Sequence, residues 1–158
     1  LKQEVPMALD QSFVGRMYPP TPPYEVGREK IREFAEAVGD TSPVYTDPEA
    51  AKALGHQDVI GPPTFPFVVT YRAAGQVILD PELGLDFSRV VHGDQTFTYT
   101  RPVRAGDRLS VTVTIEAITS RAGNDLLDVR GDVHDESGEH VVTAHMKLVV
   151  RAAEDDPR

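Results

Sequence analysis

A chain of 158 residues, 40% of them hydrophobic, is long enough for one domain with a real core and too short for two comfortable ones. Its 16 Lys and Arg stand against 25 Asp and Glu, and the formal net charge of -9 argues against a nucleic-acid or anionic-membrane footprint, which needs clustered cations. The lack of cysteine removes disulfides, thiolate nucleophiles, Cys-ligated zinc and iron–sulfur clusters, and no run of about 18 apolar residues offers a membrane span, so a cytoplasmic protein is expected.

Leu1 to Pro6 precede Met7 and read as a tag or leader remnant; a single domain is expected over 7–152, with a flexible acidic tail at 153–158. A leading strand between Phe13 and Tyr24 is interrupted by Pro19, Pro20, Pro22 and Pro23, which places it at a sheet edge because proline donates no ladder hydrogen bond. Between Arg28 and Val38, Ile31, Phe34, Ala35 and Val38 recur at helical spacing, and Gly39 supplies the stop. Asp47-Pro48-Glu49 then sets an N-cap, a first-turn proline and a first-turn acid for a short helix that Gly55 closes.

The stretch from Thr64 to Leu79 is apolar nearly all round and predicts a buried helix with Thr64 as its cap. From Val90 the period changes to two. Gln95, Phe97 and Tyr99 share one face, and the pattern repeats over Leu109–Ile115, Leu127–Val133 and Val142–Val150, with turns at Gly106-Asp107, Gly123-Asn124 and Asp135 to Gly138. The expected class is α+β, an antiparallel sheet wrapped around one long helix.

The junction Gly39-Asp40-Thr41-Ser42-Pro43-Val44-Tyr45-Thr46-Asp47-Pro48 resembles the hydratase motif of the MaoC-like hot-dog family. In that motif an Asp after Gly is followed five positions later by His, with Asn-Pro between. Asp40, Pro43 and Asp47 match; Ser42 stands where Asn is usual and Tyr45 where His is usual. A second stretch, Ile60-Gly61-Pro62-Pro63-Thr64-Phe65, lies where the family carries a glycine whose N–H polarises the thioester carbonyl. Alignment on Ile60 puts Pro63, which has no N–H, at that glycine; a one-residue slip gives the role to Thr64. The resemblance extends through Val91-His92-Gly93-Asp94-Gln95 and the Arg101 to Asp107 turn, over about residues 11 to 150.

Within the family the chain is most similar to the N-terminal, FAS1-like dehydratase type, including the non-catalytic acyl-binding subunit of heterodimeric (3R)-hydroxyacyl-carrier-protein dehydratases. The resemblance implies a hot-dog fold, an acyl-CoA or acyl-carrier-protein substrate, a homodimer or a heterodimer with a MaoC subunit, and no cofactor. Dehydration needs a base for the alpha proton and an acid for the leaving hydroxyl, and a tyrosine with an ordinary pKa of about 10 serves poorly as that base.

Asp40, Tyr45 and His92 are the candidate catalytic residues, with a loop or cap carboxylate as the plain alternative for Asp40 and a structural histidine for His92. Pro63, Thr64, Phe65, Phe67, Tyr71 and Phe97 are candidates for an acyl-binding wall, or simply core. Arg101 and Arg104, with Arg108, mark a basic turn on an acidic chain, either a landing patch for phosphopantetheine or a carrier protein, or a solvated hairpin. His134 and His140 flank a turn, but without a third ligand no metal site is expected. Three functions follow: a dehydratase subunit that binds acyl substrate while a MaoC partner completes catalysis, a self-sufficient homodimeric hydratase, or a non-catalytic acyl-thioester binding protein.

Overall fold

The computed structural model describes residues 9–152; the expected leader at 1–6 and acidic tail at 153–158 lie outside the described residues. Strand β1 (Tyr24–Glu25) is followed by helices α1 (Arg28–Val38), α2 (Pro48–Ala53) and α3 (Phe67–Ile78), then by strands β2 (Val90–Tyr99), β3 (Arg108–Arg121), β4 (Asn124–His134) and β5 (His140–Val150). The strands form one antiparallel sheet in the order β1-β3-β4-β5-β2. It curls around α3 as a hot-dog fold, and α3 packs on β3 and β4.

Alternation turns Leu109, Val111, Val113 and Ile115 of β3 inward, with Leu127, Val129 and Val133 of β4 and Val142, Ala144, Met146, Leu148 and Val150 of β5. From the helix side Val69, Ala73, Ala74, Val77 and Ile78 close the core. Each fully buried leucine among them contributes about 1.5–3 kcal/mol by leaving water.

The leading strand is only partly regular. Gly15 and Tyr18 donate backbone bonds to Ile115 and Val113, and Thr21 donates to Val111, so this segment tracks the edge of β3. The prolines beyond Tyr18 have no N–H to extend the ladder, and regular pairing is confined to β1.

Helix α3 begins two residues later than the Thr64 cap predicts. Pro66 has no N–H, and the approach runs through successive short turns in which Phe65, Phe67 and Val68 donate to Pro62, Thr64 and Phe65. The first four-residue-spaced bond runs from Thr70 to Pro66 at 2.9 Å. Nor is α3 buried on every side within one chain: Tyr71 is 41% exposed and Leu79, just past its end, 73%.

Edge strand β2 is equally open. Most of its residues are exposed on both faces, in contrast to the alternating burial of β3, β4 and β5. A register shift falls between His92 and Asp94, at Gly93. Among the described residues no helix is long and apolar enough to cross a membrane.

Candidate functional site

Local chemistry builds the first wall of the site. Gly39 adopts the left-handed conformation at φ 74°, and its N–H returns to the carbonyls of Ala35 and Glu36, ending α1 and releasing Asp40. The Asp40 carboxylate accepts the Ser42 N–H at 3.2 Å, and Pro43 opens a single tight turn, Pro43–Tyr45, that buries Val44 and Tyr45. Asp47 then caps α2 by accepting the Glu49 N–H at 2.9 Å.

Long-range pairing brings two further segments to this turn. Ile60 donates to the Val44 carbonyl, Gly61 to Val103 at 2.8 Å, and Ala105 to Val59, so the strip 59–61 is held between the Tyr45 turn and the segment leading into β3. The result is a cavity of 310 Å³ lined by Tyr45, Ile60, Gly61, Pro63, Tyr99, Thr100, Arg101 and Pro102. Gly61 belongs there for steric reasons: a Cβ would stand 2.9 Å from the ring root of Phe65, a residue with no exposed surface.

Asp40 and Tyr45, paired by the motif, face one another. Burial, and after it the Asp40 carboxylate, push the Tyr45 phenol above its usual value. Tyr45 is therefore held as a neutral proton donor, and a phenol in that state takes no alpha proton. On the opposite wall the Tyr99 hydroxyl donates to the Pro63 carbonyl at 2.7 Å; desolvation and then the neighbouring Tyr45 raise its pKa as well. At Pro63 there is thus neither an N–H to offer an oxyanion nor a free carbonyl.

The remaining sequence candidates divide. His92 sits on exposed β2, bonded to Gln95 at 3.2 Å and stacked on Phe67, and is not part of the Tyr45 cavity. Phe67 also stacks on Tyr71, and Phe97 is half-buried on the same inner side of β2. Phe65 is wholly buried, edge-on to Phe34, as core. Exposed Thr64 contributes its carbonyl to the turn entering α3.

No displayed basic landing patch forms at the arginine turn. Arg101 is only 12% exposed; its guanidinium grips Asp107 with two bonds of 2.9 and 3.0 Å and reaches Asp135 at 3.0 Å. Arg104 also points to Asp107, and Arg108 faces Glu25 and Glu136, so carboxylates neutralise the turn. Each of these three arginines meets a carboxylate, which sequence clustering alone does not reveal. Arg101 enters the site as a clamp and wall, and Arg104 lies outside the cavity lining.

His134 and His140 do meet, ring edge to face at 5.5 Å, but no group of metal-ligating residues is present among the described residues. His145 lies on the outer face beside Glu116, and His56 follows α2 in a loop. Sequence reading missed Tyr99, Thr100 and Pro102 as wall residues. The period-two pattern signals the face of Tyr99, but nothing local signals its partner, Pro63.

The sequence model of a family described as FAS1-like, dehydratase domain region, matches residues 12–144. A UPF0336 protein of Streptomyces avermitilis is 79% identical over 149 residues, covering 94% of this chain and 99% of that protein, and one of Streptomyces coelicolor is 78% identical over the same length. Among solved structures, a MaoC-like dehydratase superposes with a TM-score of 0.80 at 35% identity; the match covers 90% of this chain and only 43% of that one. The C-terminally truncated HadBC (3R-hydroxyacyl-ACP dehydratase) complex of Mycobacterium tuberculosis gives a TM-score of 0.76 at 33% identity, covering 87% of this chain and 96% of the other.

Proposed function

Because this chain belongs to the FAS1-like dehydratase family, a hydratase and dehydratase branch of the hot-dog fold, we propose that it is the acyl-binding subunit of a (3R)-hydroxyacyl thioester dehydratase or hydratase. A MaoC partner with a complete Asp/His pair finishes the reaction. One observation carries this reading: the turn around Asp40 is assembled beside a cavity lined by a neutral Tyr45 and by Pro63, which has no N–H, at the positions that the family resemblance assigns to the base and the oxyanion donor. Loss of the base removes alpha-proton abstraction, and loss of the donor removes the stabilisation of the developing enolate oxygen.

The open side of the molecule supports a partner. Tyr71 and Leu79 at α3, with Phe87 at 59% and Val91 at 42% exposure near the start of β2, leave apolar surface in water beside an unpaired strand edge. A second hot-dog chain adding its own edge strand to β2 covers both at once. The related HadBC structure is itself a complex of two chains.

Mechanistically, the proposed subunit binds and orients. The cavity walls Ile60, Pro63, Tyr99 and Pro102 exclude water from an acyl thioester, Tyr45 offers a hydroxyl to a substrate oxygen, and the partner's base acts on the alpha proton. The decisive experiment is co-expression with candidate MaoC partners. A stable complex that hydrates enoyl thioesters, where this chain alone does not, is expected; full turnover by the purified chain alone, abolished in Asp40→Asn, would overturn the subunit reading. In the complex, Tyr71→Glu is expected to dissociate the chains, seen by light scattering, with the far-ultraviolet spectrum unchanged.

A further inference from the structure

One hydrogen-bonded chain reaches the candidate cavity from the far side of the sheet and plays no part in the reading above. It begins at Asp132 on β4, whose carboxylate accepts from Arg130 at 3.0 Å and from the Thr143 hydroxyl on β5 at 2.8 Å. Thr143 lies 2.7 Å from Nε2 of His140, and Nδ1 of His140 lies 2.6 Å from the hydroxyl of Thr100, a residue of the cavity wall.

The donor inventory of these groups sets a direction. An ionised Asp132 only accepts, so the Thr143 hydrogen is committed to it, and Thr143 Oγ1 has only lone pairs left for His140. The neutral imidazole must then carry its hydrogen on Nε2 and accept at Nδ1. Thr100 in turn gives its only hydroxyl hydrogen to Nδ1, and what remains at Oγ1 for a ligand is lone pairs.

We infer that the Asp132–Thr143–His140 chain makes Thr100 an obligate hydrogen-bond acceptor at the cavity wall, selecting thioester ligands that present an N–H or O–H donor there. His140 and Thr143 are positioning residues that act through Thr100. The inference rests on the acyl-thioester reading of the cavity and names the chemistry that this wall recognises. In such ligands the donor is either an amide N–H of the pantetheine arm or the hydroxyl of a 3-hydroxyacyl group.

The test measures dissociation constants for the full chain, in its partner complex where one is obtained. It is run at about pH 8, well above an ordinary histidine pKa of about 6.5. One arm compares butyryl-pantetheine with an analogue in which ester oxygens replace the amide N–H groups; the other compares 3-hydroxybutyryl- with butyryl-pantetheine. In one arm the donor-bearing ligand is expected to bind about 2- to 12-fold tighter, the range of one neutral hydrogen bond.

Thr100→Val and Thr143→Val are expected to erase that preference, so that the donor-bearing and donor-free ligands bind alike, and Thr100→Ser is expected to keep it. A merely structural role would weaken both ligands alike. A preference that survives Thr100→Val, its absence from both arms in the wild type, or an equal loss for both ligands overturns the inference and leaves the subunit reading standing. Failure of the wild type to bind any of these thioesters overturns both.

Discussion

Replacing Arg101 by Met tests whether the arginine turn is a clamp or a docking surface. Arg101 is 12% exposed, and the carboxylates that it holds, Asp107 and Asp135, are 5% and 12% exposed. Methionine fills much of the volume and removes the charge, stranding two carboxylates away from water. Breaking a buried ion pair by deleting one partner costs about 3–5 kcal/mol. For a chain of this length each kcal/mol lowers Tm by about 2–4 °C, so a fall of about 6–20 °C is expected in a thermal melt followed by circular dichroism.

Arg104→Met is the control. Arg104 is 33% exposed and stands 3.8 Å from Asp107, so its loss should cost no more than about 1 kcal/mol.

Acid supplies a second arm. The Ser137 hydroxyl first, and Arg101 with backbone N–H groups after it, hold Asp135 down at about 2 against an ordinary 3.8. A carboxylate with a lowered folded pKa adds stability that is complete above its unfolded pKa and fades as pH falls through the folded value. The gap between wild type and Arg101→Met is therefore expected to hold at neutral pH and to narrow between about pH 4 and 2. Equal melting temperatures for the two arginine variants, or a neutral-pH shift of only a degree or so, would refute the clamp and restore a solvent-displayed Arg101.

Gly61→Ala places a methyl against wholly buried Phe65 and is expected to cost about 1–3 kcal/mol in urea unfolding, with weaker thioester binding because the cavity wall shifts. Tyr45→His in the isolated chain is expected to leave hydration at background in an enoyl-thioester absorbance assay. One missing oxyanion donor accounts for about 10²–10³ in rate, and Pro63 still supplies none. Family-level turnover from Tyr45→His alone would show that Pro63 is not decisive.

Much of the scaffold was legible because its determinants are local. Helix α1 follows from the spacing of Ile31, Phe34 and Ala35 and stops at Gly39; the start of α2 follows from Asp47 and Pro48; the strands follow from alternation. Thr64 does not start the helix because the chain first runs through three-residue-spaced turns, Phe67 to Thr64 and Val68 to Phe65, before the first four-residue-spaced bond at Thr70, a choice that cap chemistry alone does not register. The all-round apolar character of α3 predicts burial, whereas within one chain Tyr71 stays open beside an equally open β2.

By itself, then, the sequence determined the α+β class, the boundaries of α1 and the strand faces, because each depends on neighbours a few residues away. Tertiary structure alone decided what those positions meet. Tyr99 reaches the Pro63 carbonyl across 36 residues, Thr100 meets His140 across 40, and Arg101 reaches Asp135 across 34. Contacts of that span are set by strand register and by which elements the curled sheet brings to one end, so the same arginine, threonine or tyrosine is a free surface group or a buried partner according to a pairing that no local pattern encodes.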